Sequence, residues 1–256
     1  MAIKINSVDK AITVLNCFSS SEPILSVGTL SKMTGYTLST VSRLMSTMET
    51  RGVVQRVKGH GRYQLGYRIY MWGTLSQARN NLAALARPNM EVLRDLCGEE
   101  VSLYVVMDGA RSCLERVPSR HALAMTGDVG GRLPLHAGAA GRLLLAYMDE
   151  KDRREYIEHT GLERYTPNTF TDAHRLNAKL QEIRRQGYAV SREERELGSF
   201  SVVAPVREAG GRVVASLCIA GPLSRLGDDV LQDHLTDVTA TAAQISRKMG
   251  YDAPTP

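Results

Sequence analysis

The chain has 256 residues, 43% of them apolar, and 32 Lys/Arg against 27 Asp/Glu give a formal net charge of +5. It has no uninterrupted apolar run of about 18 residues and no N-terminal signal pattern, which excludes a membrane-spanning chain and predicts a soluble, cytoplasmic protein. Its four cysteines, Cys17, Cys97, Cys113 and Cys218, lie far apart without a C-x-x-C pair, which excludes a zinc-built fold and predicts small buried thiols.

The length suits two domains better than one. The positive charge is concentrated at one end, because residues 1–68 carry nine Lys/Arg and three Asp/Glu while the remainder is close to neutral. A polyanion engaged by the N-terminal quarter explains that asymmetry.

In chain order, Ser7 is placed to cap a helix with Val8, Ala11, Ile12, Leu15 and Phe18 on its apolar face. Ser26 opens a second helix that buries Val27, Leu30 and Met33, and Gly35 closes it in the left-handed conformation. Thr37 then caps a third, in which Val41, Leu44, Met45 and Met48 recur at i, i+3, i+4 and i+7. The other side of that helix carries Ser39, Thr40, Ser42, Arg43, Ser46 and Thr47. These side chains are short enough to let a helix approach phosphates, and they can hydrogen-bond to phosphates or base edges. After Gly52 the period changes to two, and Val53 to Val57 and Arg62 to Leu65 read as a hairpin with Arg56, Lys58, His60 and Arg62 at or near its tip. A basic hairpin beside a helix-turn-helix is a wing.

A helical pattern follows from Tyr67 to about Ala86, and its Trp72 fits either core packing or a dimer contact. Pro88 is expected to restart the chain into a helix with Met90, Leu93 and Leu96. Strands are predicted at Val101 to Met107 and Ser112 to Val117 around Asp108-Gly109, and at His121 to Met125. The segment Gly130 to Ala137 continues the sheet into the small-residue helix start Gly138-Ala139-Ala140-Gly141. Such a start gives room for an anion at free backbone N–H groups, or it gives tight helix–sheet packing; composition allows both. Further helices span Asp149 to His159, a stretch around Leu176, Leu180 and Ile183, and Val230 to Met249. Strands are expected at Ser201 to Val206 and Val213 to Ala220, and the charged stretch Ser191 to Glu196 reads as a solvated loop. His136 reads as a satisfied structural histidine. No nucleophile elbow, P-loop or H-E-x-x-H motif is present.

The phrases Ser7-Val8-Asp9-Lys10-Ala11, Thr37-Leu38-Ser39-Thr40-Val41-Ser42-Arg43-Leu44, Gly131-Arg132-Leu133-Pro134-Leu135-His136-Ala137, Gly187-Tyr188-Ala189-Val190 with Glu193-Glu194, Ala204-Pro205-Val206 and Gly221-Pro222-Leu223-Ser224-Arg225 occur in this order. In them the sequence resembles the IclR family of bacterial transcription regulators over nearly its full length. The resemblance implies a two-domain α+β or α/β build: a winged helix-turn-helix over residues 1–66, a linker helix over 67–86, and a GAF-like effector-binding domain over 87–256. It implies homodimers, often dimers of dimers, with no cofactor. Carried over by position, it implies an effector pocket from Met125, Ala139, Ala140, Ser191, Ser201, Cys218 and Ala220. Here Ser191 stands where the family often has an acidic residue, Ser201 where it often has cysteine, and Ala220 where it often has serine.

The expected function is therefore a sequence-specific transcriptional regulator, not an enzyme. It would bind double-stranded operator DNA through Thr37, Ser39, Thr40, Ser42, Arg43, Arg56, Lys58 and Arg62, and respond to a small carboxylate or aromatic acid. Two rival classes are a hydrolytic C-terminal domain using Ser201, Cys218 or His136, and a winged-helix module that binds protein instead of DNA.

Overall fold

A computed structural model describes residues 5–19, 22–57, 61–77, 82–122 and 129–251. The chain divides into two compact units, Met1–Asn81 and Leu82–Pro256.

The first unit comprises α1 (Asn6–Leu15), β1 (Leu25–Ser26), α2 (Val27–Thr34), α3 (Leu38–Thr50), β2 (Val54–Val57), β3 (Arg62–Leu65) and α4 (Tyr67–Gln77). The caps read from sequence govern α2 and α3. The Ser26 hydroxyl accepts from the Thr29 N–H at 3.0 Å, the Thr37 hydroxyl accepts from the Thr40 N–H at 3.3 Å, and Gly35 closes α2 at φ +71°. Helix α1 departs from expectation: it starts one residue before Ser7 with Ile5 at the cap position, and its buried residue is Val14, while Val8 and Ile12 are exposed. Val14 joins Leu30, Val41, Met45, Met48, Val54 and Tyr63 in one core. The antiparallel hairpin β2–β3 forms the wing, and β1 adds a third strand by pairing Leu25 with Tyr63 and Ser26 with Arg62.

At the foot of the wing the Gly66 N–H donates to the Val53 carbonyl at 2.8 Å. A Cβ on Gly66 would lie 2.3 Å from the Gly52 carbonyl oxygen, so only glycine lets the chain pass from wing to α4 there. Trp72 is 51% exposed on α4, with Tyr67, Tyr70 and Met71 also exposed, so among the described residues it belongs to no buried core.

The second unit comprises α5 (Leu82–Cys97), β4 (Glu100–Met107), β5 (Ala110–Val117), β6 (Arg132–Leu133), α6 (Ala139–Tyr147), α7 (Glu150–His159), α8 (Ala173–Gln186), β7 (Ala189–Arg192), β8 (Ser199–Arg207), β9 (Val213–Pro222) and α9 (Asp228–Lys248). Pro88 does not start a helix; it lies inside α5, where burial of Ala86, Met90 and Leu93 offsets the missing N–H, and Leu96 faces outward. His121 and Ala122 form no strand, and residues 123–128 lie outside the described residues. The six strands run in the order β6-β5-β4-β9-β8-β7 with antiparallel pairings throughout, so the unit is α+β. Strand alternation divides the core into two layers. Val101, Leu103, Val202, Ala204, Leu217 and Ile219 meet α5 and α9 on one face, and Tyr104, Cys113, Val203 and Cys218 meet α6 and α8 on the other. Among the described residues no helix is long and apolar enough to cross a membrane.

Candidate nucleic-acid interface and effector cavity

Helix α3 presents the expected outward side, although Leu44 of the expected buried stripe is only half-buried. Val41, Met45 and Met48 are buried, while Ser39, Ser42, Arg43, Ser46 and Thr47 are exposed and Thr40 is half-buried. Thr37 is also exposed, and its hydroxyl lies 3.1 and 2.9 Å from those of Ser39 and Thr40, so the cap orders a row of hydroxyls at the positive end of the helix. On the wing, Arg56 donates to the Tyr63 hydroxyl at 2.6 Å, stacks 5.1 Å from that ring and lies 3.6 Å from Glu49 of α3. It braces the wing against the recognition helix, a role sequence reasoning missed. Arg62 is exposed on β3. Lys58 and His60 lie outside the described residues.

In the second unit, strand register lines up Ser191, Ser201, Ala220 and Glu100 side by side across β7, β8, β9 and β4. With Cys218, Tyr104, Arg111, Gly138 and Arg195 they border a cavity of about 340 Å³, within the size range of small-ligand pockets. Ser191, Ser201, Cys218 and Ala220 of the expected set thus converge. Ala139 and Ala140, the first residues of α6, are buried in the core and do not border the cavity, and Met125 lies outside the described residues. Burial pushes the Cys218 thiol and the Tyr104 phenol each up to about 12, so both stay protonated near neutral pH.

The small-residue start of α6 serves packing. A Cβ on Gly141 would come within 2.6 Å of the Leu135 carbonyl oxygen and 2.8 Å of that of Pro134. The helix end is already occupied by an internal carboxylate. Glu194, expected in a solvated loop, is buried; it accepts from the Gly138 N–H at 3.2 Å and from the Arg142 guanidinium. Arg142 is fully buried, donates to the Val190 carbonyl at 2.9 Å and lies 4.9 Å from the Phe170 ring centroid. Desolvation pushes the Glu194 pKa up and that of Arg142 down, and their mutual attraction opposes both shifts. A charge run hides such a pair because its two members lie on different elements.

His136 is structural, as expected. The Tyr156 hydroxyl oxygen accepts from the Leu135 and His136 N–H groups at 2.8 and 3.2 Å and lies 2.9 Å from His136 Nδ1, while Nε2 lies 2.9 Å from the Glu163 carbonyl. These contacts fit a neutral ring that accepts from the tyrosine at Nδ1 and donates at Nε2. Both ring nitrogens are engaged, so this histidine does not serve as a base for Ser201 or Cys218. Among the described residues no three His, Cys, Asp or Glu side chains are grouped to hold a metal ion.

The family model described as the bacterial transcriptional regulator IclR C-terminal region matches residues 75–247, and that of the IclR helix-turn-helix domain matches residues 7–58. The chain belongs to the IclR family. As an IclR-family protein it is a DNA-binding transcription regulator, with the winged unit as its DNA-binding domain. It is similar to the transcriptional repressor IclR of Escherichia coli K12, with 27% identity over 96% of this chain and 91% of that one. It is likewise similar to the HTH-type transcriptional repressor AllR of Salmonella typhimurium LT2, with 29% identity over 97% and 91%. Among solved structures, an IclR transcriptional regulator from Alicyclobacillus acidocaldarius superposes with a TM-score of 0.87 at 26% identity, covering 97% of this chain and 100% of that one. An IclR homolog from Microbacterium hydrocarbonoxydans complexed with 4-hydroxybenzoate gives 0.84 at 25%, covering 95% and 98%.

Proposed function

We propose that this IclR-family regulator binds a two-fold operator as a homodimer and represses transcription from it, and that a small organic acid in the C-terminal cavity alters operator affinity. The cavity bordered by Ser191, Ser201, Cys218 and Ala220 carries this reading, in a chain whose other unit presents an exposed hydroxyl- and arginine-bearing recognition helix. The repressor names of its relatives and the 4-hydroxybenzoate complex of a homolog support the sign of regulation and the ligand class. The aromatic side chains exposed on α4 support pairing of two chains through the segment 67–86, which would place two recognition helices one DNA turn apart, about 34 Å. In this scheme Ser39, Thr40, Ser42 and Arg43 read base edges, and Thr37, Arg56, Lys58 and Arg62 hold phosphates. The acid acts through a difference in its affinity for two arrangements of the dimer, typically worth about 1–3 kcal/mol.

The test is binding of the full chain to its own upstream DNA and to random DNA of equal length, at two salt concentrations, with and without a panel of small acids. Preference for the upstream fragment, changed by one acid, is the expected result. Equal, weak and steeply salt-dependent binding to both fragments would refute it.

A further inference from the structure

We propose that the effector is a small carboxylate whose anionic group pairs with Arg111, making this β5 arginine the residue that selects acids over neutral molecules. The inference deepens the effector reading above and rests on it.

Arg111 is 5% exposed and borders the cavity. Its guanidinium lies 4.7 Å from the Tyr104 ring centroid, and its two Nη atoms come within about 4 Å of where a Cβ would stand on Gly138, itself a cavity residue. Its Nε is buried without a hydrogen-bond partner, and among the described residues no carboxylate lies within ion-pair distance of it. The carboxylates that surround the site are already spoken for. Glu100 accepts from Ser102 at 2.9 Å and pairs with Arg116 at 2.5 Å, and Glu194 is held by Arg142 and the Gly138 N–H. Since Glu194 fills the N-terminus of α6, an incoming anion finds its open partner at Arg111 instead. Arg195 also borders the cavity, with only a 3.5 Å pairing to Glu196, and adds to the positive potential inside.

A guanidinium buried without a counter-charge is an unfavourable arrangement that an arriving carboxylate relieves by two parallel N–H···O bonds. Because the fork geometry of those bonds belongs to arginine, lysine is a poor substitute. Desolvation already holds the Arg111 pKa below its ordinary value, which is the direction an uncompensated buried cation takes.

The experiment uses the full chain as wild type, Arg111→Met and Arg111→Lys, with glyoxylate, succinate, benzoate and 4-hydroxybenzoate at fixed ionic strength and with succinamide and benzamide as neutral counterparts. Thermal unfolding and calorimetric titration read binding, and operator binding is measured in parallel. At least one acid is expected to raise the wild-type Tm while its amide does not. Arg111→Met is expected to unfold at the same or a higher temperature without ligand and to weaken that acid roughly tenfold to a hundredfold, with Arg111→Lys in between. Undiminished acid binding by Arg111→Met, equal binding of acid and amide, a clear fall in the ligand-free Tm of Arg111→Met, or a wild type that responds to none of the four acids would each overturn the proposal. An acid that binds through Arg111 yet leaves operator binding unchanged would refute the effector reading and leave the anion site standing. An acid that shifts operator binding equally in wild type and Arg111→Met would do the reverse.

Discussion

Glu194→Gln removes the charge that Arg142 faces, and its cost follows from where that arginine sits. The guanidinium is fully buried, and among the described residues its Nε and Nη1 find no hydrogen-bond partner and its carboxylate partner is Glu194 alone. Glutamine keeps an acceptor for the Gly138 N–H but strands the cation, a loss of about 3–5 kcal/mol when one partner of a buried pair is removed. At about 2–4 °C per kcal/mol for a unit of this size, the second unit should melt roughly 6–20 °C earlier. The double variant Arg142→Met/Glu194→Gln should recover most of the loss, since no buried charge is then left alone, so the two single losses should fall well short of adding. The single tryptophan, Trp72, belongs to the first unit, so far-ultraviolet circular dichroism rather than its fluorescence should follow the transition. A Tm shift below about 2 °C for Glu194→Gln, or a double variant as unstable as the sum of the singles, would refute the reasoning.

Arg43→Ala should cost about 1–3 kcal/mol of discrimination between operator and random DNA with no change in Tm, because the side chain is exposed; anisotropy titrations of both DNAs measure this. Arg62→Ala should instead weaken both DNAs alike and lower the slope of log affinity against log salt by about one. Burial holds His136 below the ordinary imidazole value, with the Glu163 carbonyl opposing. Its native form therefore binds a proton less readily than the unfolded chain, and its contribution to stability is complete above about pH 6.5 and is lost as the pH falls towards the native value. Between pH 7.5 and 5.5 the Tm of the second unit should fall more steeply in wild type than in His136→Gln, and equal slopes would count against it. Gly141→Ala drives a methyl into the Leu135 and Pro134 carbonyls and should destabilise the same unit by about 1–3 kcal/mol in urea unfolding.

Local signals were the readable ones. Ser26, Gly35 and Thr37 act on backbone groups within a few residues, so the helix-turn-helix and its exposed row stand in the sequence almost as they stand in space. Strand β1 is two residues long and exists only because the distant β3 pairs with it, a partnership no short window contains. Pro88 was misjudged because burial on both sides of it outweighs one missing hydrogen bond. The charged stretch from Ser191 concealed the buried Glu194, whose partner Arg142 lies on α6. Ser191, Ser201 and Ala220 came through family resemblance, and strand register then gave the physical reason they stand together. Arg111 was missed, although a signal existed: it lies two residues before the buried Cys113 on a strand, and so on the same face.

The central pair of the large sheet joins β4 to β9, with Glu100 opposite Ala220. The first strand of this unit to be synthesised must wait for the last before it has neighbours on both sides, and closing so long a loop is slow. In the winged unit the strand partners β1, β2 and β3 all lie close together in sequence. During synthesis, therefore, the strands of the DNA-binding unit can pair before β9, the last partner in the sheet of the second unit, has been made. A chain cut before Val213 would lack β9 and so leave β4 and β8 without the strand that joins them into one sheet.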